Sequence, residues 1–171
     1  MSLPGRCKLS EKLYQALGLP QTAQSLDFTC GAACFDSMIK FFRGNSPGEL
    51  SIAEELGALE LGFTPPENIV LLSRKYGFES RLQEGAEISD LFDAFQAKEV
   101  VFVTWWDEDA GHYSLIQHID ADYITLMDPW TAREGKDNRL SISYFLENWQ
   151  ARGGKMIRNK PSTNSSALRA L

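Results

Sequence analysis

The sequence is poor in the features that build disulfide frameworks, membrane spans and nucleic-acid surfaces. Its three cysteines (Cys7, Cys30, Cys34) are an odd number, ill suited to a disulfide scaffold, so a reducing, cytoplasmic setting is expected. No apolar run approaches the ~18–20 residues of a membrane span. The N-terminal residues Met1 to Cys7 have no apolar core of a secretory signal. Positive charge is also short: 17 Lys and Arg against 23 Asp and Glu give a net charge of -6. That balance argues against a general nucleic-acid binder, which needs a basic face. Internal repeats are absent. A metal site made from Cys30, Cys34 and His112 would be short of the four ligands a structural zinc requires, and two cysteines on one helix frame it badly. No metal and no cofactor are expected.

What is present suits one globular domain. A chain of 171 residues with 43% hydrophobic and 23% charged residues can bury one sizeable core. Hydrophobic spacing predicts helices over Ser10–Leu17, Cys30–Phe42, Ser51–Leu59, Glu67–Tyr76 and Ile88–Lys98. Thr64 and prolines in the first turn would open the fourth of these. Strands are predicted at Phe78–Leu82, Val100–Trp106, His112–Ile119, Tyr123–Met127 and Leu140–Ile142, with Asp120 to Asp122 as a hairpin turn. Ser143 should cap a short helix ending near Gln150. Residues 153–171 lack periodicity and read as a flexible C-terminal tail, leaving residues 1–152 as the domain. Helices first and an antiparallel sheet later make an α+β fold of two lobes, with a cleft between them.

Cys30 stands where loop becomes helix. Thr29 or Asp27 can cap that helix, and Cys34, Phe35, Met38, Ile39 and Phe42 give it an apolar stripe. The sulfur would sit among unpaired backbone N–H groups at the positive end of the helix dipole, and both favour a thiolate. Cys30 is therefore a candidate nucleophile, whereas Cys34, one turn on, reads as core.

A thiolate nucleophile needs a base. If the hairpin is centred near Ala121, residues paired across it sum to about 242–243, by the alternation and turn rules of antiparallel strands. His112 then lies opposite roughly residue 130, and Asp128 emerges beside it. A carboxylate there can accept the second ring N–H and stabilise the imidazolium. His118 lies near the turn and reads as a packed sheet histidine. The backbone N–H of Cys30 can serve a developing oxyanion. Gln24, six residues upstream, is the candidate side-chain donor, with Gln21 as fallback. One of Trp105 and Trp106 is expected to line the cleft. The acidic residues Asp107, Glu108 and Asp109 read as a solvated loop that would favour a basic or neutral substrate if it borders the cleft.

Gln24, then Cys30-Gly31 with Ala33 and Cys34, then Gly111-His112-Tyr113-Ser114, then Asp128-Pro129 resembles the papain-like cysteine peptidases that remove double-glycine leaders from bacteriocins and related peptides. The resemblance covers roughly residues 20–150. It implies a papain-like fold, a helical lobe with the cysteine helix packed against a sheet carrying His and Asp. It also implies Cys30 as nucleophile, His112 as general base and acid, Asp128 as orienting carboxylate and Gln24 as oxyanion donor. Trp106, Gly111 and Gly31 would meet the substrate. Members of that family are usually fused to a transporter, so a free-standing relative is implied. Its partner would be a peptide or protein substrate, with association to another protein left open.

Two other readings use the same residues. A Cys-His-Asp site forms a thioester whichever amine leaves, so glutamine deamidation or acyl or peptidyl transfer would use the same set. A non-catalytic peptide-binding module is the third. The pair Gly153-Gly154 would suit self-cleavage, but Gly-Gly before a tail is commonplace.

Overall fold

The computed structural model describes residues 16–106 and 111–163. The expected helix Ser10–Leu17 falls largely outside these residues, as do Cys7, residues 164–171 and the acidic segment from Asp107 to Asp109.

Six antiparallel strands form one sheet between two helical layers. In chain order the elements are α1 (Cys30–Arg43), α2 (Glu49–Glu55), α3 (Ala58–Leu61), α4 (Pro66–Lys75), β1 (Phe78–Gln83), α5 (Ile88–Gln96), β2 (Val100–Trp106), β3 (His112–Ile119), β4 (Tyr123–Met127), β5 (Asn138–Ser141), α6 (Ile142–Ala151) and β6 (Met156–Pro161). The sheet runs β1-β6-β2-β3-β4-β5. This is the α+β, papain-like architecture that the sequence led us to expect.

Alternation along the strands divides the core in two. Phe102, Tyr113, Leu115, Met127 and Ile157 face the first layer and pack with Cys34, Phe35, Met38 and Ile39 of α1, Ile52 of α2 and Ile69 of α4. Val101, Val103, Trp105, Ile116, Ile124 and Leu126 face the second layer, with Leu91 and Phe95 of α5 and Phe145 and Trp149 of α6. With both faces covered, β3 is buried at seven of its eight positions. α1 is buried throughout Cys30 to Ile39, so it runs through the protein's interior. Gly44, with φ +80°, ends it in the left-handed conformation while its N–H bonds the Lys40 carbonyl.

Some elements differ from the sequence reading. The helix expected over Ser51–Leu59 is two short pieces, because Gly57 adopts φ +72° between α2 and α3. Thr64 does not cap α4; its carbonyl accepts a 3.0 Å bond from the Tyr113 hydroxyl. Ser141, not Ser143, caps α6, accepting the Tyr144 N–H at 3.3 Å.

The larger correction concerns the tail. Residues 156–161 are an inner strand, pairing with β1 on one side and β2 on the other. Met156, Ile157 and Asn159 are buried, but neighbouring Lys155, Arg158 and Lys160 hide this from a reading by composition. The glycine pair ahead of β6 has a structural purpose. Gly153 and Gly154 have φ +80° and +55°, and their carbonyls accept the N–H groups of Gly85 and Ala86 at 2.7 and 3.0 Å. A Cβ on Gly154 would stand 2.7 Å from the Ala86 carbonyl oxygen.

Candidate active site

α1 packs on β3, which brings the tip of α1 to the His112 end of the sheet. Two features hold that end in place. β3 and β4 pair Leu115 with Met127 and His118 with Thr125, sums of 242 and 243, so Asp128 leaves β4 beside His112. Gly111 enters β3 at φ +74°, and a Cβ there would come within 2.9 Å of the Thr104 methyl. The backbone can turn tightly into His112 only because no side chain precedes it.

The buried His112 Nε2 meets Asp128 Oδ1 at 2.8 Å. That contact commits Nε2, so Nδ1 is the ring nitrogen left to face Cys30, which is near enough to act on the His112 charge. Burial lowers the imidazole's pKa, but the hydrogen bonds and charges of Asp128 and Cys30 outweigh it and lift the pKa to about 9. Burial raises the Asp128 carboxyl, yet the bond and charge of His112 prevail and hold it below the usual carboxylate range. Asp128 has further support: the Trp130 N–H donates to Oδ1 at 2.9 Å and Asn138 Nδ2 donates to Oδ2 at 3.2 Å. The site therefore keeps a buried positive imidazolium held on a carboxylate.

Cys30 is the first residue of α1, so its backbone N–H has no acceptor within the helix. Thr29 is the N-cap, its carbonyl accepting the Ala33 N–H at 3.0 Å, but its hydroxyl closes a turn with Leu26 and does not cap the helix. The loop before Cys30 is tied down by buried polar groups the sequence reading passed over. Asp36 accepts from Thr22 at 3.0 Å and Ser46 at 2.6 Å. Ser37 donates to the Pro20 carbonyl at 2.6 Å, and Glu49 accepts the Ser25 N–H at 3.1 Å. An aspartate in the middle of an apolar helix stripe was the available clue. Asn138 gave no comparable signal, because its role depends on which residue it faces across β4.

Gln24 lies in this loop, but its amide is occupied. Nε2 donates to the carbonyls of Leu26 and Asp27 at 2.8 and 3.0 Å, while the buried Oε1 has no partner. Exchanging the two atoms would set an oxygen against two carbonyl oxygens, so this orientation is the stable one. Gln21 Nε2 bonds Asp137 on the surface.

Trp106 pairs with His112 across the β2–β3 ladder, its ring 5.4 Å from the imidazole and edge-on to it. It is 42% exposed, whereas Trp105 is buried with its N–H on Ser114. Gly31, in the first turn of α1, lies against Thr64, whose side chain would stand 3.0 Å from any added Cβ. Cys34 is fully buried; burial first, then the charges of Cys30 and Asp128, push its thiol well above the ordinary range. His118 faces Asp120 at 3.5 Å and Phe95 edge-on, away from the site. Asp120 is a turn residue, accepting the N–H groups of Asp122 and Tyr123 at 2.8 Å each. Among the described residues no His, Cys, Asp and Glu group is arranged to hold a metal ion, and no helix is long and apolar enough to cross a membrane.

Comparison with known proteins agrees with this fold. The double glycine motif protease of an AMS/PCAT transporter, solved with its leader peptide, is 18% identical with a TM-score of 0.69, covering 86% of this chain and 95% of that one. The peptidase domain of Streptococcus ComA, a bi-functional ABC transporter of a quorum-sensing pathway, is 21% identical with a TM-score of 0.66, covering 82% and 97%. A C39-like peptidase from Bacillus anthracis is 16% identical with a TM-score of 0.68, covering 88% and 99%. At these identities the structural likeness speaks for the fold. No curated protein matches the chain. The family model of the peptidase C39 family matches residues 18–164, and the chain belongs to that family.

Proposed function

We propose that the protein is a cysteine peptidase that hydrolyses a peptide bond through Cys30, His112 and Asp128. One observation carries the reading: a buried His112–Asp128 pair, joined at 2.8 Å, at the sheet end where the tip of α1 brings Cys30. The Cys30 sulfur attacks the substrate carbonyl carbon, and the carbonyl electron pair moves to oxygen. The Cys30 N–H stabilises that oxyanion, and Gln24 joins it by exchanging one of its two carbonyl acceptors for the oxyanion. When the C–N bond breaks, His112 Nδ1–H protonates the departing amine and a thioester remains. Water then gives its proton to His112 and attacks the thioester, freeing the acid and regenerating Cys30 and His112. Asp128 keeps the ring oriented throughout.

The substrate is a peptide segment laid against Trp106 and Gly111, whereas Gly31 is buried against Thr64 and shapes the site from behind. The relative solved with a leader peptide supports a peptide ligand for this chain as well. A free thiol nucleophile needs a reducing compartment, so the reading includes a cytoplasmic location.

A peptide library followed by mass spectrometry tests the reading. Cut products that vanish with Cys30→Ala and His112→Ala are expected. A one-dalton gain at glutamine without cutting would point to deamidation. Iodoacetamide labelling at pH 6 that is no faster at Cys30 than at an ordinary thiol would leave only a binding module.

A further inference from the structure

The Cys30 loop and the Asp128 turn belong to different parts of the chain, and an arginine outside the catalytic set joins them. Arg133 lies in the 3-10 turn Thr131–Glu134, which is anchored on Asp128 by a 2.8 Å bond from the Ala132 N–H to the Asp128 carbonyl. Its Nε and Nη2 both donate to the Gln24 carbonyl, at 3.3 and 3.2 Å. The Gln24 N–H donates in return to the Pro129 carbonyl at 3.2 Å. The residue 128–133 segment thus clasps the Gln24 peptide at both its N–H and its carbonyl. The guanidinium lies 4.5 Å from the centre of the Trp130 ring, and no carboxylate pairs with it among the described residues. Its charge is spent on one carbonyl and one aromatic face.

We infer that Arg133 is a positioning residue that locks the Cys30 loop to the Asp128 turn. The chain of contacts is continuous. Arg133 holds the Gln24 backbone, the Gln24 side chain holds the Leu26 and Asp27 carbonyls, and Asp27 is three residues ahead of Cys30. Without Arg133, the Gln24 peptide keeps one bond to this segment, from its N–H to the Pro129 carbonyl, and the Cys30 loop has more room to shift against the Asp128 turn. A displacement of ~1 Å at a reacting pair is enough to cost up to about 10²-fold in rate. The catalytic part of this inference rests on the peptidase reading; the clasp itself does not.

The test compares Arg133→Ala and Arg133→Lys in the full chain by amide hydrogen exchange at Gln24, iodoacetamide alkylation of Cys30 and thermal midpoint. Arg133→Ala should speed exchange at Gln24 about tenfold and slow alkylation about three- to tenfold, with a midpoint shift of no more than about 2 °C. Arg133→Lys, which keeps a cation over Trp130 and one donor, should recover part of both rates. Unchanged exchange at Gln24 overturns the clasp. Faster exchange with unchanged alkylation overturns the positioning role. Slower alkylation that tracks a falling midpoint, without recovery by lysine, overturns it as well. If Cys30→Ala still cuts peptides, the peptidase reading fails, while the exchange data still decide the clasp.

Discussion

Asp128 accepts bonds from His112, Trp130 and Asn138 in a nearly dry pocket, and those bonds decide the charge state of its neighbour. With the imidazole lifted to about 9, His112 stays protonated at neutral pH and loses its proton only on the alkaline side. The alkaline limb of the cleavage profile should therefore lie near pH 9 in the native protein. Asp128→Asn removes the charge that sustains it, so this limb should move toward lower pH. Cleavage should fall by about 10²–10⁴-fold, read from kcat against pH. Gln24→Ala should lower kcat about 10²-fold if its amide turns to the oxyanion; a change within about threefold would leave Gln24 as a brace for the loop alone. Pairing of His112 with Asp128 was legible in the sequence, because strand register is arithmetic once a turn is located. Gln24's two carbonyl bonds and Arg133's reach were not legible, since they depend on side-chain direction and on a 3-10 turn that the sequence showed only as a polar loop.

Glycines and strand order carry the lesson at the scale of elements. The left-handed Gly111 ahead of β3 admits no side chain, so Gly111→Ala should destabilise the protein by about 2 kcal/mol, combining the positive φ with the Thr104 contact. Denaturant titration measures the loss, and Thr104→Ser should return the steric share. Gly154→Ala meets a backbone oxygen that cannot swing aside, so it should cost about 2 kcal/mol or more and allow no such rescue. Strands β2 to β4 were readable from β-branched and aromatic runs, each paired to its neighbour in sequence. β6 was not, because its partners lie some 55 to 80 residues upstream, and short basic strands announce themselves only through what they pair with. A chain ending at Arg152 should consequently lose the cooperative thermal transition, as followed by circular dichroism.

Across the whole molecule, the His112–Asp128 pair links stability to pH as well as to chemistry. His112 has a raised pKa, so its contribution is complete below about 6.5 and disappears as pH climbs through about 9. Asp128 is shifted the other way; its contribution exists above the ordinary carboxylate range and disappears as pH falls through its lowered value. Urea midpoints across pH should decline between about pH 6.5 and 9, and the decline should flatten in His112→Gln. The α+β class was legible from the order of helices and strands, yet the burial of both sheet faces was not. α5 and α6 had no visible destination until the second face of β2 and β3 appeared.

The position of β6 has a consequence for biosynthesis. A ribosome delivers this strand after the other five, although it belongs between the first two of them. Until it emerges, the facing edges of β1 and β2 have nothing to bond, and the meander β2 to β5 waits half-assembled with an open flank. The nascent polypeptide is most exposed to self-association during that interval, and the finished sheet arises only when β6 slides into the gap.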